Sequence, residues 1–209
     1  MKFQLDALEP TLQYKLLAAT VVPRPIALVA TADEHGNQNA APYSFFNTMG
    51  ENPPTLVLGL QEKADGSLKD TTVNIQRSGQ YVVHTVDEGI AEAMDLCAAE
   101  FPRGLSEAAA AGLTLVPSDR VAPMRIAEAP VAFECERIAM VQVSPGRQIV
   151  IGKVLTMHVR DGLIDPDTLR VDTAQYRPVG RLFGTLYCRT GDQFELPRPT
   201  YAEWKARQE

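Results

Sequence analysis

From Ile26 to Ala32 the chain carries almost only apolar or small side chains, the pattern of a strand buried on both faces. Asp33-Glu34-His35-Gly36-Asn37 is turn chemistry, so residues 38–46 are expected to return as the second strand of a hairpin. Upstream, residues 10–19 predict a helix, with Pro10 at its first position and Leu12, Leu16 and Leu17 on one face. Pro23 and Pro25 end it. After the break at Asn52-Pro53-Pro54, residues 55–60 read as another strand. Asp70 reads as the N-cap of a short helix reaching Ser78 and closed by Gly79. Residues 81–85 form a strand pattern, and 87–101 a helix pattern with Ile90, Met94, Cys97 and Phe101 on one stripe.

Residues 102–128 scatter Pro, Gly and Ala with little periodicity, so an excursion from the sheet is expected there, with Ser106–Ala111 as a helical piece. Two long strand patterns follow, 131–143 and 148–159, joined by Ser144-Pro145-Gly146-Arg147. Arg181–Arg189 supplies one more strand, and the tail from Thr200 a short amphipathic helix. Six or more strands with helices inserted between them predict a mainly β fold, an antiparallel barrel with peripheral helices rather than βαβ units. A chain of 209 residues suits one domain over 1–209, with 87–128 as an inserted helical excursion.

Composition narrows the function. A hydrophobic fraction of 45% and a charged fraction of 22% are those of a soluble globular protein. No apolar run approaches the roughly 18–20 residues that span a bilayer, and the N-terminus lacks a signal-peptide core. A net charge of −6 argues against a general nucleic-acid or anionic-membrane binder. Cys97, Cys135 and Cys188 form no CxxC pair, so neither a disulfide framework nor a zinc site is expected, and free thiols fit a cytoplasmic location.

Two segments carry candidate chemistry. Thr31-Ala32 at one strand end, opposite Ala41-Pro42-Tyr43-Ser44-Phe45, supplies small residues that let backbone approach a flat ring; the plainer reading is a tightly packed hairpin core. Lys69-Asp70-Thr71-Thr72 at a helix start offers amide groups, a cation and hydroxyls to a phosphate, although most such sequences only cap a surface helix. His35, His84 and His158 lie in no metal-ligand spacing, and neither GxSxG nor a strand-following GxGxxG is present. A hydrolase or transferase using Ser44 or a cysteine lacks a base in sequence context.

Tyr14-Lys15-Leu16-Leu17, PRPIALV at 23–29, GNQNAAPYSFF at 36–46, Asn52-Pro53-Pro54, Lys69-Asp70-Thr71 with Asn74-Ile75, and Tyr176 to Leu182 with Tyr187 occur in one order. Together they resemble the flavin reductase-like family, whose fold is the FMN-binding split β-barrel. The resemblance implies FMN, or FAD in its place, with NAD(P)H as electron donor and no catalytic side chain. It also implies a homodimer with flavin near the interface, and a partner monooxygenase or other electron acceptor. By resemblance, Thr31 and Ala32 contact the ring or ribityl chain, and Asn39, Ala41, Pro42, Ser44 and Phe45 line the cleft. Lys69 and Thr71 hold the phosphate, with Arg24, and Arg181 beside Tyr187, as further contributors. Phe183 stands where many relatives have glycine, which keeps open a second reading: a flavin-binding electron carrier without a productive nicotinamide site.

Overall fold

The computed structural model describes residues 1–208. Helix α1 (Pro10–Thr20) begins at Pro10 as expected, but its leucines do not form a core face. Only Ala18 is buried, while Leu12, Tyr14 and Leu17 are exposed. Strand β1 (Arg24–Pro25) leads into β2 (Ala27–Ala32), which is buried throughout. The Asp33 carboxylate accepts the backbone N–H groups of His35 and Asn37 and so builds the turn. Strand β3 (Gln38–Tyr43) then returns antiparallel, with Asn39 opposite Thr31.

The expected 38–46 strand is divided. It stops at Tyr43, bends through Ser44 and Phe45, and resumes as β4 (Phe46–Glu51), which pairs with β5 (Pro54–Gln61). The Phe45 carbonyl accepts the Gly59 N–H at 2.7 Å, a contact between distant residues that no local pattern announces.

Helix α2 (Asp70–Ser78) is closed by Gly79 in the left-handed region at φ 71°. Its N-cap, however, is Lys69, and the Asp70 carboxylate instead accepts a 2.8 Å hydrogen bond from Arg103. Strand β6 (Gln80–Thr85) follows. The 87–101 helix contracts to α3 (Ala91–Leu96), because Asp87 makes a turn by accepting the Gly89 and Ile90 N–H groups. The excursion contains α4 (Glu107–Ala110), capped by Ser106, and a small pair of strands, β7 (Leu115–Val116) and β8 (Arg125–Ile126). Two long strands, β9 (Val131–Ser144) and β10 (Arg147–Val159), match their prediction closely. The strand expected at 181–189 is a hairpin of β11 (Val179–Arg181) and β12 (Tyr187–Arg189), turned at Gly184 with φ 65°. Helix α5 (Tyr201–Ala206) carries a Thr200/Glu203 capping box.

Seven strands form one antiparallel sheet in the order β3-β2-β6-β9-β10-β5-β4. Its two outermost strands, β3 and β4, are consecutive in the chain and joined only by Ser44 and Phe45. The sheet therefore has to curl until its edges lie side by side, making a barrel with a seam. One core packs Val29, Leu58, Tyr81, Val83 and Val150 together with Ile75 of α2. Leu28 on the other face of β2, with Ile26 just before the strand, packs against Met94 and Cys97 at α3 and Ala108 of α4. Each fully buried Val or Leu contributes roughly 1.5–3 kcal/mol, so the burial of β2 on both faces ties the two cores together.

His84 of β6 joins the two layers. Its Nδ1 lies 2.9 Å from the Leu28 carbonyl, and its Nε2 accepts the Ile126 N–H at 2.9 Å. Both ring nitrogens are thereby committed in the neutral tautomer with the proton on Nδ1. Burial lowers its pKa from the ordinary 6.5 of a histidine to about 4, despite the opposing Leu28 hydrogen bond. The unfolded chain thus binds more protons than the native one between those values. Stability is complete above pH 6.5 and falls as pH drops toward 4, by about 2 kcal/mol between pH 7.5 and 5. Urea denaturation across that range should show this loss in the natural protein and its disappearance in His84→Gln, whose amide can serve both partners.

Candidate functional site

Pro42, Tyr43, Ser44 and Phe45 sit at the seam and form one wall of a cavity of about 400 Å³. Leu60 and Gln61 of β5, Gln148 and Ile149 of β10, Met94 of α3 and the β11–β12 hairpin enclose the rest. Tyr14 of α1 reaches the same space, its ring centroid 6.1 Å from that of Phe45. A smaller cavity of about 80 Å³ shares Pro42, Lys69 and Ala98 with the first and extends it toward Asn39, Lys63 and Glu107. The combined cleft falls in the size range of small-molecule sites, about 300–1,000 Å³.

The position of Phe45 depends on Gly59. A Cβ added to Gly59 would lie 2.9 Å from the Phe45 Cβ, closer than side-chain carbons approach. Glycine at this position lets β5 run directly beneath the seam.

Cations gather at one part of the cleft. Lys69 is half-buried, with its Nζ 6.0 Å from the centre of the Tyr43 ring. Desolvation lowers its pKa, Glu100 opposes that shift, and Lys63 and Arg147 add to it. Three positive groups therefore feel one another around Lys69, an arrangement that an anion would relieve. Arg147 is tethered by donating to Gln61 Oε1 at 2.6 Å. Elsewhere in the cleft, the Arg181 guanidinium lies 4.5 Å from the Tyr187 ring centre, and Tyr187 donates its hydroxyl to Asp95 at 3.0 Å. Burial and the bond to Asp95 raise the Tyr187 pKa, and burial pushes Tyr43 up to about 12, so neither phenol is tuned to exchange a proton near neutrality.

Arg24 is spent on structure. Its buried guanidinium donates to the Ala18 and Val21 carbonyls at 2.5 and 2.7 Å, and to the Leu182 carbonyl at 2.8 Å. Its Nε donates to Ser44 Oγ at 3.3 Å. One cation thus closes the C-terminal end of α1, where the helix dipole favours it, and ties the β11–β12 turn and the seam to that end. Arg24 meets the site through Ser44 and through its guanidinium, which lies 6.0 Å from the centre of the Phe45 ring.

Thr31 is fully buried, its hydroxyl accepting from Asn74 Nδ2 at 3.0 Å. Ala32 is buried too, its carbonyl taken by Arg77 at 2.8 Å. Neither lines the cleft. Thr71 borders the smaller cavity but has no accessible surface, and its hydroxyl lies 3.0 Å from the Asn39 amide. Asn39, Ala41, Pro42, Ser44, Phe45, Lys69 and Arg181 do line the combined cleft. Sequence reasoning missed Tyr14, Asp95, Glu107 and Arg147, which come from α1, α3, α4 and β10 and converge only through the fold. Tyr14 was visible as part of a motif, but nothing local marked the other three.

The remaining readings find little support in the geometry. Among the described residues, the one side-chain hydrogen bond of Ser44 Oγ is accepted from Arg24, so the hydroxyl is paired with a cation and not with a base. Phe183 stands at the β11–β12 turn outside the cleft lining. Asp119, Glu134 and His158 do come together in space, though not in sequence. There the Glu134 carboxylate already accepts the Asp119 and Arg120 N–H groups and bonds His158 at 2.6 Å.

Comparison with known proteins bears on the same fold. Residues 19–180 match the model of the flavin reductase like domain. The chain belongs to the flavin reductase-like family. The structure resembles 2-nitrobenzoate 2-nitroreductase of Pseudomonas fluorescens with a TM-score of 0.88 and 42% identity, over 96% of this chain and 98% of that one. Nitrilotriacetate monooxygenase component B of Bacillus cereus follows with a TM-score of 0.87 and 33% identity, over 94% and 98% of the two chains. A putative flavin reductase with a split barrel domain from Shewanella frigidimarina has a TM-score of 0.78 at 21% identity, over 95% and 100%, and shares the fold. The fold is therefore the split β-barrel, and the protein is a flavin-related oxidoreductase. Among the described residues, no helix is long and apolar enough to cross a membrane.

The residues present fit a flavin nucleotide. The wall at Pro42–Phe45 offers a ring apolar surface, and Lys69 with its neighbouring cations offers a phosphate charge-assisted donors. Gly59→Val should push Phe45 out of that wall and weaken flavin binding at least tenfold, while costing about 1–3 kcal/mol of stability from overpacking. Fluorescence titration of flavin alongside urea denaturation checks this; unchanged affinity would separate Phe45 from the site.

Proposed function

We propose that this chain is a single-domain, NAD(P)H-dependent FMN reductase that passes electrons to a partner or acceptor. What carries the reading is the continuity of the cleft, from the apolar wall at Pro42–Phe45 to the cations around Lys69. FMN, with FAD as the alternative nucleotide, would supply the hydride-accepting chemistry when bound. The protein's share is binding, orientation and exclusion of water. Lys69, with Lys63 and Arg147 near it, would hold the phosphate. Pro42, Tyr43 and Phe45 would hold the ring, and Ser44, fixed by Arg24, keeps the backbone at the bend in one conformation. Arg181 over Tyr187, anchored by Asp95, would set the opposite rim where a second substrate enters. No side chain is needed as acid or base, which accords with the raised pKa values of both cleft phenols.

We further propose a cytoplasmic homodimer with the flavin near the interface, and neither nucleic acid nor membrane as partner. The exposed Leu12, Tyr14 and Leu17 of α1, of which Tyr14 lines the cleft, support that reading, as do Phe194, Leu196 and Trp204 exposed along the C-terminal arm. A partner monooxygenase as electron acceptor is supported by the resemblance to a monooxygenase component B. A second reading, in which a nitroaromatic is the acceptor, is favoured by the 42% identity to a nitroreductase.

Anaerobic stopped-flow addition of NADH or NADPH to the FMN-loaded protein tests the proposal. Bleaching of bound flavin at least tenfold faster than free FMN is the expected result. Bound flavin that stays oxidised would overturn the reductase assignment in favour of an electron carrier. Subsequent addition of free FMN or of 2-nitrobenzoate tells the two acceptor readings apart by which one restores the oxidised spectrum.

A further inference from the structure

Glu107 of α4 is a carboxylate in an unexpected place, buried beside a cleft that is otherwise suited to anions. It reaches across from the excursion to the hairpin, and its Oε2 accepts the Ala40 N–H of β3 at 2.9 Å. The Asn39 side chain beside it satisfies all its neighbours in one orientation, with Nδ2 donating to Glu107 Oε1 at 3.1 Å. In that orientation Asn39 Oδ1 accepts from Thr71 Oγ1 at 3.0 Å and from the Ala40 N–H at 3.3 Å. With the amide reversed, Nδ2 would donate to Thr71 at 3.0 Å and its oxygen would face the carboxylate. An ionised Glu107 forbids the second arrangement by acceptor–acceptor repulsion, whereas a neutral group would permit it.

We propose that Glu107 is a positioning residue for the cofactor cleft, fixing through Asn39 the hydrogen-bond polarity where β3 meets the start of α2. Its carboxylate commits the Asn39 NH2 group to α4 and the Thr71 hydroxyl to Asn39. Thr71 therefore acts as a fixed support behind Asn39, and the residue that meets the ligand is Asn39 itself. The same carboxylate joins the excursion to the barrel at the site, which gives α4 a purpose beyond covering the outer core. Burial raises the Glu107 pKa, and the Ala40 N–H holds it down. The inference rests on the flavin reading for its effect on binding, but not for the geometry of the network.

The test has two arms on the full-length protein. In the first, FMN is titrated by fluorescence into the natural protein and into Glu107→Ala, Glu107→Gln, Asn39→Ala and the double variant of Asn39→Ala with Glu107→Ala. Glu107→Ala is expected to weaken binding about tenfold, and Glu107→Gln, which keeps an acceptor for Ala40 but turns an NH2 group toward Asn39 and reverses its amide, to lose a comparable amount. In the Asn39→Ala background the Glu107→Ala change should cost less than twofold more, because Glu107 acts through Asn39. Full affinity in Glu107→Ala, or losses that multiply in the double variant, would overturn the proposal. In the second arm, the Asn39 side-chain amide protons are followed by NMR in flavin-free protein. They should be shifted and protected in the natural protein and lose both features in Glu107→Gln; identical signals in the two would overturn the proposed network whether or not FMN binds. Failure of the natural protein to bind FMN, with the NMR result as expected, would instead count against the flavin reading alone.

Discussion

Everything functional in this molecule depends on how the sheet closes. Strands β3 and β4 are the free edges of a seven-stranded sheet, yet two residues join them. That connectivity brings the two edges together, and the Phe45 carbonyl accepting the Gly59 N–H extends the β4–β5 pairing into the bend between them. A single hydrogen bond of this kind is worth only about 1 kcal/mol. Its importance is geometric, because it turns an edge that could pair with another chain into a bent wall facing a cavity. The cleft is a consequence of barrel closure.

Charge is sorted in the same region. The buried Arg24 and the exposed Arg77 both donate to backbone carbonyls, so they hold helices and strand ends in place. Lys69, with Lys63 and Arg147 near it, retains cationic character facing the cleft in a chain whose net charge is −6. Local field therefore departs from global charge, and it is the local field that a phosphate-bearing ligand meets. Glu107 is buried with its oxygens occupied by Ala40 and Asn39, which limits its repulsion of the same ligand.

Much of this was legible in the sequence. The strong patterns, 26–32, 131–143 and 148–159, became strands within a residue or so at each end, since burial on both faces or a long hairpin leaves a clear apolar record. The division of 38–46 was not legible, because Ser44 and Phe45 suit a strand as well as a bend and the deciding contact comes from Gly59. The helix at 87–101 was overextended for a similar reason: its stripe was real, with Ile90, Met94 and Cys97 all buried, but the Asp87 turn took the first residues. At the site, residues on the hairpin and at the start of α2 could be named from motifs, and most line the cleft. Thr31, Ala32 and Arg24 belong to the same motifs yet serve as internal supports, a distinction that depends on which way each side chain faces once the sheet has curled. Arg147, Asp95 and Glu107 lay outside every motif and were gathered by topology alone.

The most direct measurement is a crystal structure of the protein grown with FMN. The predicted result is an isoalloxazine ring lying against Pro42–Phe45 at the seam, with the phosphate within hydrogen-bonding distance of Lys69. Flavin bound away from the seam, or a phosphate that leaves Lys69 without contact, would contradict the assignment of this cleft.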